Sequence, residues 1–125
     1  MSEILTTKYT FYSEIAIPDH LLRMISEKET PLFAVKTVRD AALFTDKRIL
    51  IADKQGITGR KVEYYTIPYK SVITYAIETA GTFDLDSEIK LWLSGGKSIE
   101  LQFMKDKNMN ELLFKVYHIL SNYVL

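Results

Sequence analysis

Between Leu32 and Met104 the apolar and polar residues alternate, and on either side of that stretch the apolar residues fall at helical spacing. The alternating part breaks into runs: PLFAVKTV, AALFTD, RILIAD, VEYYTIP, SVITYAIET, EIKLWLS and SIELQFM. Successive side chains of a strand point to opposite faces, so such runs predict strands with one buried face. In EIKLWLS the inward set is Ile89, Leu91 and Leu93, and Glu88, Lys90 and Trp92 point outward. In SIELQFM the inward set is Ile99, Leu101 and Phe103. Arg39-Asp40, Asp46-Lys47 and Gly95-Gly96 are short turn signals, whereas QGITGRK and AGTFDLD read as longer loops. Tight turns between successive strands predict an antiparallel meander. Pro68 ends a strand or starts a kink, because proline cannot donate to the ladder.

Two segments change period. In IPDHLLRMISEKE, Pro18 suits a first helical position and Asp19 the positive end of a helix, while Leu21, Leu22 and Ile25 share a face. This predicts a short helix over residues 18–27, stopped before Pro31. Near the other end, Asn108 and Glu111 have capping-box spacing. Met109, Leu112, Leu113, Val116, Leu120 and Tyr123 with Val124 follow at steps of three and four. That pattern predicts a long amphipathic helix, whose apolar stripe must be buried. TTKYTFYS, rich in β-branched and aromatic residues, reads as a strand or as an arm. The expected fold is mainly β with a C-terminal α-helix: a β-sandwich or partly open barrel of seven strands, one open end covered by that helix. Residues 1–31 form an arm with a short helix, and 32–125 the domain proper.

Composition narrows the classes. A chain of 125 residues with 47% hydrophobic content is one domain with material for a core. There is no cysteine, which removes disulfides, thiol nucleophiles and cysteine-containing zinc sites. Sixteen basic and sixteen acidic residues cancel, which argues against nucleic acid as a partner. MSEILTTKYTFYSEIAI lacks a basic start followed by an apolar core, and no apolar run reaches membrane-span length. The expected location is the cytoplasm.

Candidate chemistry is sparse. QGITGRK holds Gly56 and Gly59 followed by Arg60 and Lys61. A phosphate-cradling loop of the nucleotide-binding type leads from a strand into a helix, whose N-terminus supplies amide donors. Here VEYYTIP, a strand, follows instead, so the glycines read as serving a strand-to-strand connection. The remaining idea is a basic anion or lipid surface built by Lys47, Arg48, Lys54, Arg60 and Lys61. Hairpin turns of a meander are expected to alternate between its ends, so Arg39 and the Lys54, Arg60, Lys61 group are not expected to share one pocket. DLDSEI superficially matches a calcium loop but has Ile89 where the sharp-turn glycine belongs. His20 and His118 lack metal-site spacing. No nucleophile motif is present, and no enzyme, metal or cofactor is expected. Trp92 lies on the outward face beside Lys90, and one of Tyr64 and Tyr65 is expected to point outward. Exposed aromatics on a sheet are enriched at partner surfaces. Packing of Trp92 over a barrel end or beneath the arm is the other reading.

Four stretches in order carry a family resemblance: FTDKR at 44–48, DKQGITGRKVEY at 53–64, IPY at 67–69 and ETAGTFDLDSEIKLW at 78–92. Over residues 32–125 the chain resembles the bacterial pleckstrin-homology-like family, single-domain bacterial proteins. The resemblance implies a bent antiparallel sandwich of seven strands capped by a C-terminal helix. It also implies a non-catalytic module that assembles as a ring-like homo-oligomer, with copies of itself as the first partner. Eukaryotic relatives of the fold bind phosphoinositides through basic residues on the first two strands and a roomy loop between them. Here that connection is only Arg39-Asp40, and the strands beside it offer Lys36. The chain departs from that pattern, and the alternative function is binding of anionic lipid headgroups or a phosphorylated ligand through the basic loop surface, which allows membrane contact by that route.

Overall fold

In the computed structural model, residues 6–79 and 86–125 are described. Their elements run β1 (Thr6–Phe11), β2 (Glu14–Ile15), α1 (Asp19–Leu22), β3 (Pro31–Lys36), β4 (Ala41–Thr45), β5 (Arg48–Gln55), β6 (Lys61–Pro68), a 3-10 turn (Tyr69–Ser71), β7 (Val72–Glu78), β8 (Ser87–Leu93), β9 (Ser98–Phe103) and α2 (Met109–Val124). Each of the seven alternating runs contains a strand. Most of the loop AGTFDLD, including Asp84 of the calcium-like pattern, and the first five residues of the arm lie outside the described residues.

The strands form two sheets, ordered β1-β9-β8-β7 and β2-β3-β4-β5-β6. They do not close into a barrel. Chain direction alternates along the meander, and the 3-10 turn after Pro68 carries the chain from one sheet to the other. TTKYTF is a strand rather than a loose arm. It pairs in parallel with β9, from Thr6 opposite Ser98 to Phe11 opposite Phe103. Phe11 is fully buried and meets Phe44 and Phe103 edge-to-face at 5.8 and 5.6 Å. The segment ahead of Leu32 is therefore hydrogen-bonded into both sheets, β1 into one and β2 into the other.

The main core lies between the sheets, where Ile89, Leu91, Leu93, Ile99, Leu101 and Phe103 point inward as their alternation requires. Helix α2 closes one side of it with Met109, Leu112, Leu113, Val116, Ile119 and Leu120. Asn108 precedes the helix but makes no side-chain capping hydrogen bond, so the capping box is not formed.

A second cluster lies on the outer face of the five-stranded sheet: Leu21, Ala34, Ala41, Leu43, Leu50 and Ala52. Both faces of β4 and much of β5 are thus buried, which explains why AALF and ILIA are apolar at every position. The small side chains of Ala34, Ala41 and Ala52 let Leu21 of α1 pack close. Tyr64, the tyrosine facing out of the sheet, is half-covered by this segment and meets His20 edge-to-face at 6.2 Å. Tyr65, on the other face, stacks on Tyr9 at 6.2 Å. Neither ring is left bare.

The predicted helix over 18–27 shortens to Asp19–Leu22. One distant and one nearby side chain take its backbone. The Met24 carbonyl accepts from Arg48 Nη2 at 2.9 Å, and the Ser26 amide donates to Glu29 Oε1 at 3.1 Å. His20 Nε2 meets Asp40 Oδ1 at 3.0 Å, tying α1 to the β3–β4 hairpin.

Candidate functional site

Three surfaces hold the residues that the sequence singles out. The first is the end formed by the β3–β4 and β5–β6 turns. In a meander, turns separated by two strands return to the same end. Arg39 therefore does reach the glycine loop: its Nη2 donates to the Gly56 carbonyl at 2.6 Å. This corrects the expectation that the two groups stay apart. Gly56 and Gly59 have φ of 70° and 65°, the left-handed region that favours glycine. A Cβ on Gly59 would lie 3.6 Å from both Arg39 Nη2 and Lys54 Cδ, so the loop closes against those two side chains. Lys36, Arg39, Lys54, Arg60 and Lys61 are exposed here. Two branched apolar side chains join them: Val38 is 66% exposed, and Ile57 at the loop tip is fully exposed.

Lys47 and Arg48 belong to the opposite end. Strand β5, eight residues long, separates them from the loop, a span of roughly 25 Å at about 3.3 Å per residue. The five cations of the proposed surface therefore split into two groups. Arg48, moreover, is committed. Its Nε donates to Glu29 Oε2 at 3.0 Å, its Nη2 to Glu29 Oε1 at 2.8 Å and its Nη1 to Thr66 Oγ1 at 3.0 Å. Glu29 is buried and also accepts from Thr45 Oγ1 at 2.8 Å. Nothing local in the sequence marks Glu29, because its partner is 19 positions away and no short spacing links them. Burial pushes its carboxyl up, but the hydrogen bonds from Arg48, Thr45 and Ser26 and the Arg48 charge outweigh that and hold it below the usual glutamate value.

The third surface is the outer face of the four-stranded sheet. Trp92 is 41% exposed there, opposite Thr74 of β7 on one side and Ser98 of β9 on the other. Lys90 lies opposite Glu100 and pairs with Glu78 at 3.4 Å. Glu88 Oε1 is buried with no hydrogen-bond partner among the described residues. Burial, then the neighbouring Glu100 carboxyl, raise the Glu88 pKa against the opposing charges of Lys8 and Lys90. Among the described residues β7, like β1, is an edge strand of this sheet, and a bulge between Val72 and Thr74 leaves Ile73 64% exposed.

Among the described residues, no group of three or more His, Cys, Asp or Glu side chains could hold a metal ion. Among the same residues, no helix is long and apolar enough to cross a membrane.

With this geometry in hand, the likeness to known proteins has a physical basis. Residues 3–124 match the family model described as "Bacterial PH domain". The match begins well before Leu32, consistent with β1 being a strand of the sandwich. The chain is similar to uncharacterized protein YjqA of Bacillus subtilis, at 46% identity over 102 residues, covering 80% of this chain and 82% of that one. In structure it is similar to a DUF1696 family protein with a pleckstrin-homology domain from Shewanella loihica. That likeness has a TM-score of 0.73 and 36% identity, covering 90% of this chain and 97% of the other. A pleckstrin homology domain from Shewanella amazonensis aligns with a TM-score of 0.65 and 37% identity, over 86% of this chain and 84% of that one. Two sheets, a helix closing one side of their core and a match over nearly the whole sequence make this chain a member of the bacterial PH domain family.

Proposed function

We propose that the protein is a non-catalytic interaction module that assembles with copies of itself through its four-stranded sheet. The observation that carries this reading is the β7 edge, unpaired among the described residues, where Ile73 is lifted out by a bulge beside the exposed ring of Trp92. An edge strand offers unpaired backbone donors and acceptors to another strand. Exposed branched and aromatic side chains beside it gain by being covered, and a closed symmetric assembly leaves no edge open. Lys90 and Glu78 on the same face supply charges that can re-pair across a contact. Light scattering after size exclusion tests this. The wild type is expected to run as an oligomer, and Trp92→Ala combined with Ile73→Asp at lower mass. A monomeric wild type at micromolar concentration defeats the reading.

A second reading has its own observation: the convergence of Arg39 on the glycine loop, which gathers Lys54, Arg60 and Lys61 around exposed Val38 and Ile57. Cations around apolar tips suit the surface of an anionic membrane, where the cations meet headgroups and the tips enter the interface. Such binding weakens with salt. Flotation with anionic vesicles is expected to succeed at low salt, fade at high salt, and fail for Arg60→Glu with Lys61→Glu. Vesicle binding indifferent to that double change removes the idea.

A further inference from the structure

At the end of the molecule opposite the glycine loop, a cleft of about 380 Å³ opens where β6 leaves its sheet and α2 ends. That volume lies within the ordinary range for small-molecule sites, about 300–1,000 Å³. We infer that this cleft binds a small aromatic anion: a flat ring bearing a phosphate or carboxylate group. The inference is independent of both self-assembly and membrane contact.

Charge gives the sign of the ligand. Five charged side chains line the cleft, and two of them, Glu29 and Arg48, neutralise each other in their own ion pair. That leaves the exposed Lys47 and Lys70 against Asp46. Asp46 Oδ1 already accepts from the Thr30 amide at 2.8 Å, whereas neither lysine ammonium forms an ion pair among the described residues. Arg48 adds a further donor. A guanidinium has five N–H groups. Four go to the two Glu29 oxygens, Thr66 Oγ1 and the Met24 carbonyl, and one remains without a partner among the described residues.

Shape gives the body of the ligand. Tyr69 and Tyr123 stack with centroids 5.6 Å apart and an interplanar angle of 16°. Tyr69 is buried and Tyr123 exposed, so the pair carries aromatic surface from the core out to the cleft. A flat ring adds to such a stack at offset geometry. The Tyr69 wall is already fixed, so it requires little ordering on binding. The Tyr69 hydroxyl donates to the Thr45 carbonyl at 2.7 Å, and its amide donates to the Lys47 carbonyl at 3.1 Å.

Lys47 and Lys70 also lie near the last turn of α2, whose carbonyls carry partial negative charge. The experiment must separate that service from ligand binding. The full chain, isotopically labelled, is titrated with phenyl phosphate, benzoate and inorganic phosphate and followed by amide NMR shifts. Phenyl phosphate or benzoate is expected to move the amides around 46–48, 66–70 and 120–124 saturably. The stronger of the two identifies the anion. Inorganic phosphate is expected to bind at least about tenfold more weakly, since it lacks the ring. Lys47→Ala with Lys70→Ala is expected to weaken the ring-bearing anion about tenfold or more. Tyr123→Leu should remove the advantage over inorganic phosphate. The inference is overturned if neither ring-bearing anion gives a saturable shift, or if the shifts fall at the glycine loop instead. It is also overturned if the double lysine variant loses thermal stability yet binds as the wild type does.

Discussion

At Glu29, burial and hydrogen bonding compete, and the Arg48, Thr45 and Ser26 bonds win, so the folded carboxyl ionises below its ordinary value of 4.5. A group with a depressed folded pKa contributes stability above its unfolded value and loses it as pH falls through the folded one. Glu88 goes the other way. Its folded pKa is raised, first by burial and then by Glu100, so its contribution is fullest below 4.5 and is lost as pH rises through the raised value. Two substitutions separate these effects by urea unfolding at neutral and acidic pH. Glu29→Gln leaves Arg48 half-buried without its counter-charge and is expected to cost about 3–5 kcal/mol at neutral pH. That deficit should narrow as pH falls from 4.5 through the lowered folded value, where the wild-type carboxyl protonates. Glu88→Gln is expected to stabilise the protein at neutral pH, because an amide needs no charge beside Glu100. This gain should vanish in acid. A Glu88→Gln variant less stable than the wild type at neutral pH would contradict the assignment.

Among the elements, β1 carries the most unexpected role. It is the parallel strand that completes the four-stranded sheet, and Phe11 at its end fills the space between Phe44 and Phe103. Phe11→Ala is expected to cost about 3–5 kcal/mol, the range for a buried phenylalanine truncated to alanine. Chemical denaturation checks it, with the midpoint falling and the slope unchanged. A loss well below 1 kcal/mol would mean that β1 is a detachable arm. Helix α1 shows the opposite balance. Its residues have helical spacing, but Arg48 and Glu29 bind the Met24 carbonyl and the Ser26 amide, and the helix stops at Leu22. The meander strands needed no such arbitration. Their alternation alone assigns Ile89, Leu91, Leu93, Ile99, Leu101 and Phe103 to the core.

For the whole molecule, the two proposed surfaces are coupled by geometry if assembly occurs. One copy presents Arg39, Lys54, Arg60 and Lys61 on one end, a small patch for a charged surface. Several copies held in one ring present it repeatedly, and linked weak sites bind far more tightly together than singly. A Trp92→Ala, Ile73→Asp variant of reduced mass is therefore expected to lose vesicle binding at low salt, although it keeps every loop cation. Flotation of that variant beside the wild type is the measurement. Equal binding by both would show that assembly adds nothing at the membrane.

The sequence by itself determined the strands of the meander, the inward faces of β8 and β9, the apolar stripe of α2 and the positive-φ glycines of the turn. Each of these rests on local periodicity or on the backbone freedom of one residue, and neither needs a distant partner. Tertiary structure alone decided the rest. It placed β1 beside β9 although they are 92 positions apart, and it covered both faces of β4 with the help of three alanines. It also brought Arg39 onto Gly56, sent Lys47 and Arg48 to the far end, and buried Glu29 against Arg48. Such contacts depend on which turns share an end and which strands share an edge, and those are properties of the chain's path that no local spacing encodes.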